Sequence, residues 1–202
     1  MKMDVIKFDR IAREVFSPVY SVIAQQIKER TGISEGICLD IGAGGGYLGI
    51  ALAMVTGLHV FLLDSSLEML EIAQRNIIEG DLETKVEIIS GDVHEIPFEN
   101  ESANLVISRG SVFFWENKIK AFNEIHRVLV PGGKAYVGGG LGTAEIAKQV
   151  KTRMNKIDAN WPGRRDKNSD SYKTCSEALS VSGIADWSIK KSNAGLWIEI
   201  CK

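Results

Sequence analysis

The chain has 202 residues, 45% of them hydrophobic, and a formal net charge of −2. That is enough apolar material for one well-cored domain and tight for two. The balanced charge offers no basic surface for nucleic acid or for an anionic membrane.

The first residues carry no apolar signal-peptide core. Val5, Phe8, Ile11, Ala12 and Val15 recur at helical spacing and predict a helix over 4–15. Ser17-Pro18 starts a second helix that runs to about Arg30, with Gly32 just past its end. A strand is expected over 36–41, then a loop with Gly42, Gly44, Gly45 and Gly46, then a helix over 47–56. His59 to Leu63 forms the next strand, which stops at Asp64. The stretch Leu48 to Leu63 is apolar but broken by Thr56, Gly57 and His59, and it is shorter than the roughly 18 residues a membrane span needs. Ser65 and Glu68 form a capping-box pattern for a helix ending near Glu79.

Strands follow at Val86–Ser90, trailed by Gly91-Asp92, and at Ala103–Ser108. Asn117 caps a helix whose apolar stripe is Ile119, Phe122, Ile125 and Leu129. Pro131-Gly132-Gly133 ends that helix and turns into a strand from Lys134 to Val137. Ile146, Ala147, Val150, Met154 and Ile157 predict another helix. After a polar stretch, 158–171, Thr174 and Glu177 cap a helix near 175–182. Strands over 186–191 and 196–201 are joined by too few residues for a parallel crossover, so they pair as an antiparallel hairpin. The result is an α/β doubly wound, mostly parallel seven-stranded sheet with an antiparallel C-terminal hairpin and helices on both faces. Cys38, Cys175 and Cys201 read as buried, reduced thiols of a cytoplasmic protein.

Ligands bind such sheets at the carboxyl ends of the strands. The glycine loop, Asp64, Asp92 and the segment after Ser108 all fall there. Gly44, Gly46 and Gly49 satisfy G-x-G-x-x-G, which serves a doubly negative pyrophosphate on bare N–H groups. Asp40 at the mouth of that loop would repel a pyrophosphate and favour a ligand with positive charge. That weighs against an NAD-dependent oxidoreductase. S-adenosylmethionine, with an adenosine body, an ammonium and a sulfonium, has the matching chemistry.

From about residue 34 to 140 the sequence resembles the class I S-adenosylmethionine-dependent methyltransferases of small-molecule type, which are Rossmann-like. The resemblance rests on Asp40-x-Gly42-x-Gly44-x-Gly46, on Asp64, on Gly91-Asp92-Val93 and on Val128 to Gly133. It implies that Gly42, Ala43, Gly44 and Gly46 hold the methionine portion while Asp40 places the ammonium. It also implies that Asp64, with Ser65 beside it, takes the ribose hydroxyls. Asp92 would accept from the adenine amino group, with Gly91 and Val93 beside the ring. Ser108 and Arg109, after the fourth strand, fall near the methyl end.

The acceptor side is less defined. Tyr20, Arg109, Phe113 and Trp115 are candidates for an acceptor pocket, and no catalytic residue is identified. Phe113, Phe114 and Trp115 either pack in the core or line that pocket. Arg109 forms a structural ion pair, contacts the cofactor carboxylate or meets an anionic acceptor. Trp161, Arg164 and Arg165 fall where the family carries acceptor-specific insertions, and that insertion is short, which suits a small acceptor. No metal-ligand spacing occurs.

The expectation is therefore a single domain over 1–202: an N-terminal helical cover (1–33), a cofactor core (34–140) and an acceptor-side segment with the terminal hairpin (141–202). It would transfer methyl from S-adenosylmethionine to a small molecule, leaving S-adenosylhomocysteine, with no nucleic-acid or membrane partner. The alternative is an S-adenosylmethionine-binding sensor or assembly factor without turnover.

Overall fold

A computed structural model describes residues 5–158, 171–192 and 194–202. The elements, in chain order, are α1 (Val5–Glu14), α2 (Ser17–Thr31), β1 (Glu35–Ile41), α3 (Tyr47–Val55), β2 (Gly57–Asp64), α4 (Leu67–Glu79) and β3 (Val86–Ser90). Then come β4 (Ala103–Arg109), α5 (Lys118–Val128), β5 (Leu129–Gly140), α6 (Ala144–Ile157), α7 (Ser171–Ser182), β6 (Asp186–Ser192) and β7 (Gly195–Cys201). The sheet order is β3-β2-β1-β4-β5-β7-β6. The first five strands run parallel, and β7 lies antiparallel between β5 and β6.

The two-residue period of the strands sorts side chains onto two faces. Leu39, Ile41, Val106, Val137 and Ile198 pack with Phe122 and Ile125 of α5 and Leu179 of α7. Cys38, Val60, Leu62, Leu105, Ile107 and Tyr136 pack on the other face, with α2, α3, α4 and α6. Burying each large side chain contributes about 1.5–3 kcal/mol, so the two layers hold the sheet rigid under its open carboxyl edge.

Several local expectations need correction. Ser66, not Ser65, caps α4, its hydroxyl accepting from Met69 N. The carboxylate of Asp64 turns the chain first by accepting from Ser66 N, which delays the helix by one residue. Helix α7 starts at Ser171, so Thr174 lies inside it rather than capping it. Pro131-Gly132-Gly133 lies within β5, in a region where the register against β4 shifts. On α5 the buried residues are Ala121, Phe122, Ile125 and Val128, while Ile119 is exposed. All three thiols are free, but Cys201 is only half-buried. Trp161, Arg164 and Arg165 lie outside the described residues.

Helix α1 buries only Ala12 and is fastened by charge. Arg75 donates to Asp9 at 2.9 Å and Arg13 to Glu79 at 2.7 Å, tying α1 to α4. Arg13 also reaches Asn76, and Tyr47 donates to Asp9.

Candidate functional site

The carboxyl ends of β1, β2 and β4 and the loop after β3 form one edge. The loop after β1 is wound tightly. Gly46 has φ +79°, and a Cβ there would stand 2.5 Å from Leu62 Cδ1, so a side chain fits neither the backbone nor the space. Gly44, at φ +55°, is different: a Cβ would meet nothing nearer than the Phe8 ring, 3.8 Å away. The outer surface of the loop is thus bare backbone beneath α1. Four of its N–H groups are spent within the protein. Gly42 and Ala43 donate to Leu63 O, Gly44 to Asp64 Oδ2 and Gly46 to Ala43 O. A pyrophosphate would find those donors taken.

Asp40 is the floor of the loop and is 2% exposed. One oxygen accepts from Gly49 N at 2.9 Å, at the start of α3. Among the described residues the other has no hydrogen-bond partner, and since no side-chain oxygen or nitrogen there is both sealed from solvent and unpartnered, that oxygen keeps some contact with solvent. Burial is the main cause that pushes the Asp40 carboxyl up to about 7. The Gly49 bond opposes the rise, and the nearby Asp64 charge adds to it.

Asp64, at the end of β2, accepts from Gly44 N at 2.8 Å and Ser66 N at 2.9 Å. A carboxylate has about four acceptor positions, so capacity remains for hydroxyl donors. Asp92 is exposed, and its Oδ1 accepts from His94 N at 2.8 Å and meets His94 Nδ1. Those bonds, the backbone one first, hold its carboxyl below the usual range. Val93, beside it, is buried in the core. Gly91 donates to Asp64 O, tying the β3 loop to the end of β2.

The segment after β4 divides sharply. Ser108 is fully buried and its hydroxyl meets Ser111 at 2.6 Å, so it serves the loop and not the crevice. Trp115, 7% exposed, is a core residue that packs edge-on against Phe122 and donates to Ser111 Oγ. Phe113 packs against the core and lies so close to Gly139 that a Cβ there would come within 2.7 Å of its ring. Phe114 is the exposed ring of the three, at 83%.

Arg109 turns toward α2. Its guanidinium carbon lies 5.3 Å from the ring centroids of both Phe16 and Tyr20, and its Nε donates to Gly140 O at 2.9 Å. Tyr20 in turn stacks on Tyr47 at 5.2 Å. Tyr47 is not among the candidates the sequence suggests, and its place directly after the glycine loop is the signal that points to it. Tyr20 and Arg109 are therefore together, Phe113 lies on the β5 side, and Trp115 is elsewhere.

A surface depression of about 390 Å³ is lined by Gly32, Ile33, Glu35, Asn104 and Pro131 at the opposite end of the sheet. Among the described residues no cluster of three or more His, Cys, Asp or Glu side chains could hold a metal ion. None of the described helices is long and apolar enough to cross a membrane.

Residues 39–137 match the family described as Methyltransferase domain. A solved protein from Methanococcus maripaludis, described provisionally as an S-adenosyl-L-methionine-dependent methyltransferase, is 40% identical with a TM-score of 0.93; the match covers 98% of this chain and 91% of that one. An arsenite methyltransferase of Halobacterium salinarum is 33% identical over 115 residues, which is 56% of this chain and 29% of that protein. A demethylmenaquinone methyltransferase of Chlorobaculum tepidum is 33% identical over 110 residues, 54% of this chain and 43% of that protein. The chain thus spans less than half the length of these two curated relatives.

Proposed function

Since the chain belongs to the S-adenosylmethionine-dependent methyltransferases, we propose that it transfers the methyl group of S-adenosylmethionine to a small-molecule acceptor by in-line displacement. The observation that carries this is the run of acceptor groups along one edge. Asp40 in β1, Asp64 at the end of β2 and Asp92 just after β3 lie at the carboxyl ends of adjacent strands, around a glycine loop in which the N–H groups of Gly42, Ala43, Gly44 and Gly46 are already used. This chemistry suits a nucleoside with hydroxyl, amino and ammonium donors and no phosphate.

S-adenosylmethionine supplies a methyl group on a sulfonium whose departure as a thioether needs no proton. The protein's work is accordingly to bind, align and exclude water. In this reading the free oxygen of Asp40 takes the ammonium, and Asp64 takes the ribose hydroxyls from the rim. Asp92 keeps one oxygen for the adenine amino group while His94 fixes the other, and Gly91 and Val93 shape the loop beside it. The bare surface at Gly44 lies against the ligand, and Phe8 covers it. Tyr20 and Arg109 bound the acceptor end. The chain 1–202 acts as one methyltransferase domain in the cytoplasm, its N-terminal helices forming the cover; the free cysteines support that setting.

Calorimetry should show S-adenosylhomocysteine binding while NAD and NADP give no heat at the same concentration. Tight NAD binding would overturn the reading. Incubation with S-adenosylmethionine and a cell extract should then yield S-adenosylhomocysteine, and an extract passed through a small-pore filter should suffice as acceptor source. A requirement for the retained macromolecules would sink the small-molecule acceptor.

A further inference from the structure

We propose that the methyl acceptor carries an anionic group, a carboxylate in the simplest case, held by Arg109 and Tyr20. This rests on the methyltransferase reading above and adds to it the charge of the substrate.

The Arg109 guanidinium sits beside two aromatic rings with its Nε fixed on Gly140 O. Among the described residues no carboxylate is ion-paired with it. Among the described residues its two terminal nitrogens make no hydrogen bond, and neither does the Tyr20 hydroxyl. Because no side-chain nitrogen or oxygen among the described residues is both sealed off and unpartnered, these groups reach solvent. Burial lowers the Arg109 pKa from its ordinary value, yet a guanidinium stays protonated in a protein. Burial also pushes the Tyr20 hydroxyl up to about 12, so it remains a neutral donor. The corner therefore presents donors and one positive charge that no carboxylate among the described residues pairs with. A largely buried cation without a counter-ion is costly, and an incoming anion would relieve that cost. The planar fork of a guanidinium matches a carboxylate in two parallel hydrogen bonds.

Two sources of a carboxylate exist: the acceptor, and the amino-acid end of the cofactor itself. The placement favours the acceptor. The guanidinium turns from the end of β4 toward the last carbonyl of β5, on the side of β4 away from β1, and Asp40 reaches this corner only through its charge on Tyr20. Asp40, Asp64 and Asp92 lie at β1 or on its other side. Phe16 and the Tyr20 ring give the same corner apolar walls, which suit a carboxylate borne on a flat hydrocarbon body.

The test uses the full chain saturated with S-adenosylhomocysteine, with benzoate as the probe and benzamide as its neutral isostere. Ligand-observed NMR should show benzoate binding about tenfold or more tighter than benzamide, the range expected of a charge-assisted hydrogen bond. Arg109→Gln should erase that preference while leaving S-adenosylhomocysteine affinity within about twofold. Tyr20→Phe, which keeps the ring, should weaken benzoate severalfold and leave benzamide unchanged. Benzoate that fails to bind, or binds no better than benzamide, overturns the proposal. It is also overturned if Arg109→Gln weakens S-adenosylhomocysteine but not 5′-methylthioadenosine, which lacks the amino-acid end; the guanidinium would then serve the cofactor. Failure of the methyltransferase reading looks different: the unaltered chain would not bind S-adenosylhomocysteine at all.

Discussion

Asp64→Ala should weaken S-adenosylhomocysteine binding by about 100-fold or more, because each charge-assisted hydrogen bond to a ribose hydroxyl is worth roughly 1.5–3 kcal/mol. The same carboxylate accepts from Gly44 N and Ser66 N, so its loss also loosens the glycine loop and the turn into α4. A residue that only capped the turn would behave otherwise. Its removal would cost about 1 kcal/mol of stability and leave affinity intact in the folded fraction. Melting and calorimetry on one preparation separate the two. Affinity unchanged at a temperature well below the melting point would remove Asp64 from the binding site.

Asp40 should make both stability and binding depend on pH, with opposite signs. Its carboxyl titrates at 3.8 ordinarily and at about 7 when buried in the fold. Between those values the native chain holds a proton that the unfolded chain has released. Stability of the ligand-free protein should therefore fall as pH rises from about 4 to 7 and level off above. The full span is of the order of a few kcal/mol. A ligand whose ammonium meets this group prefers the ionised form. Affinity for S-adenosylhomocysteine should accordingly rise with pH, by up to about tenfold per unit below pH 7. Asp40→Asn keeps an acceptor for Gly49 N and should flatten both profiles. Affinity that stays flat with pH in the unaltered chain would show that the ammonium is held elsewhere.

The parts of the site that the sequence made legible are those written contiguously. The acid-glycine loop and the Gly-Asp after β3 each combine an unusual backbone need with an ionisable side chain within a few residues. The parallel strands were legible because each is an apolar run closed by a glycine or an acid. What escaped depends on neighbours distant in the chain. Ser65 and Ser66 look alike as caps until the Asp64 carboxylate chooses between them by taking Ser66 N. Trp115 and Phe114 are adjacent and both aromatic. Only the packing of Trp115 against Phe122 of α5 sends it into the core and leaves Phe114 outside. The placing of β7 between β5 and β6 could not be read from a four-residue connection, because either strand of a hairpin can face the sheet. The Arg109 corner joins Phe16 and Tyr20 to a residue about ninety positions later, with no local pattern to announce it.

The fastening of α1 sets the tempo of the site. This helix adds Phe8 over the glycine loop and little more than Ile11 and Ala12 to the core, and its ion pairs to α4 are solvent-exposed on at least one partner. Exposed pairs contribute only about 0.2–1 kcal/mol each and are screened by electrolyte. Local opening of α1 is thus far cheaper than unfolding of the sheet. Raising the ionic strength should therefore speed ligand exchange while leaving the melting temperature of the sheet nearly unchanged, which stopped-flow binding and thermal melts at two salt concentrations would show.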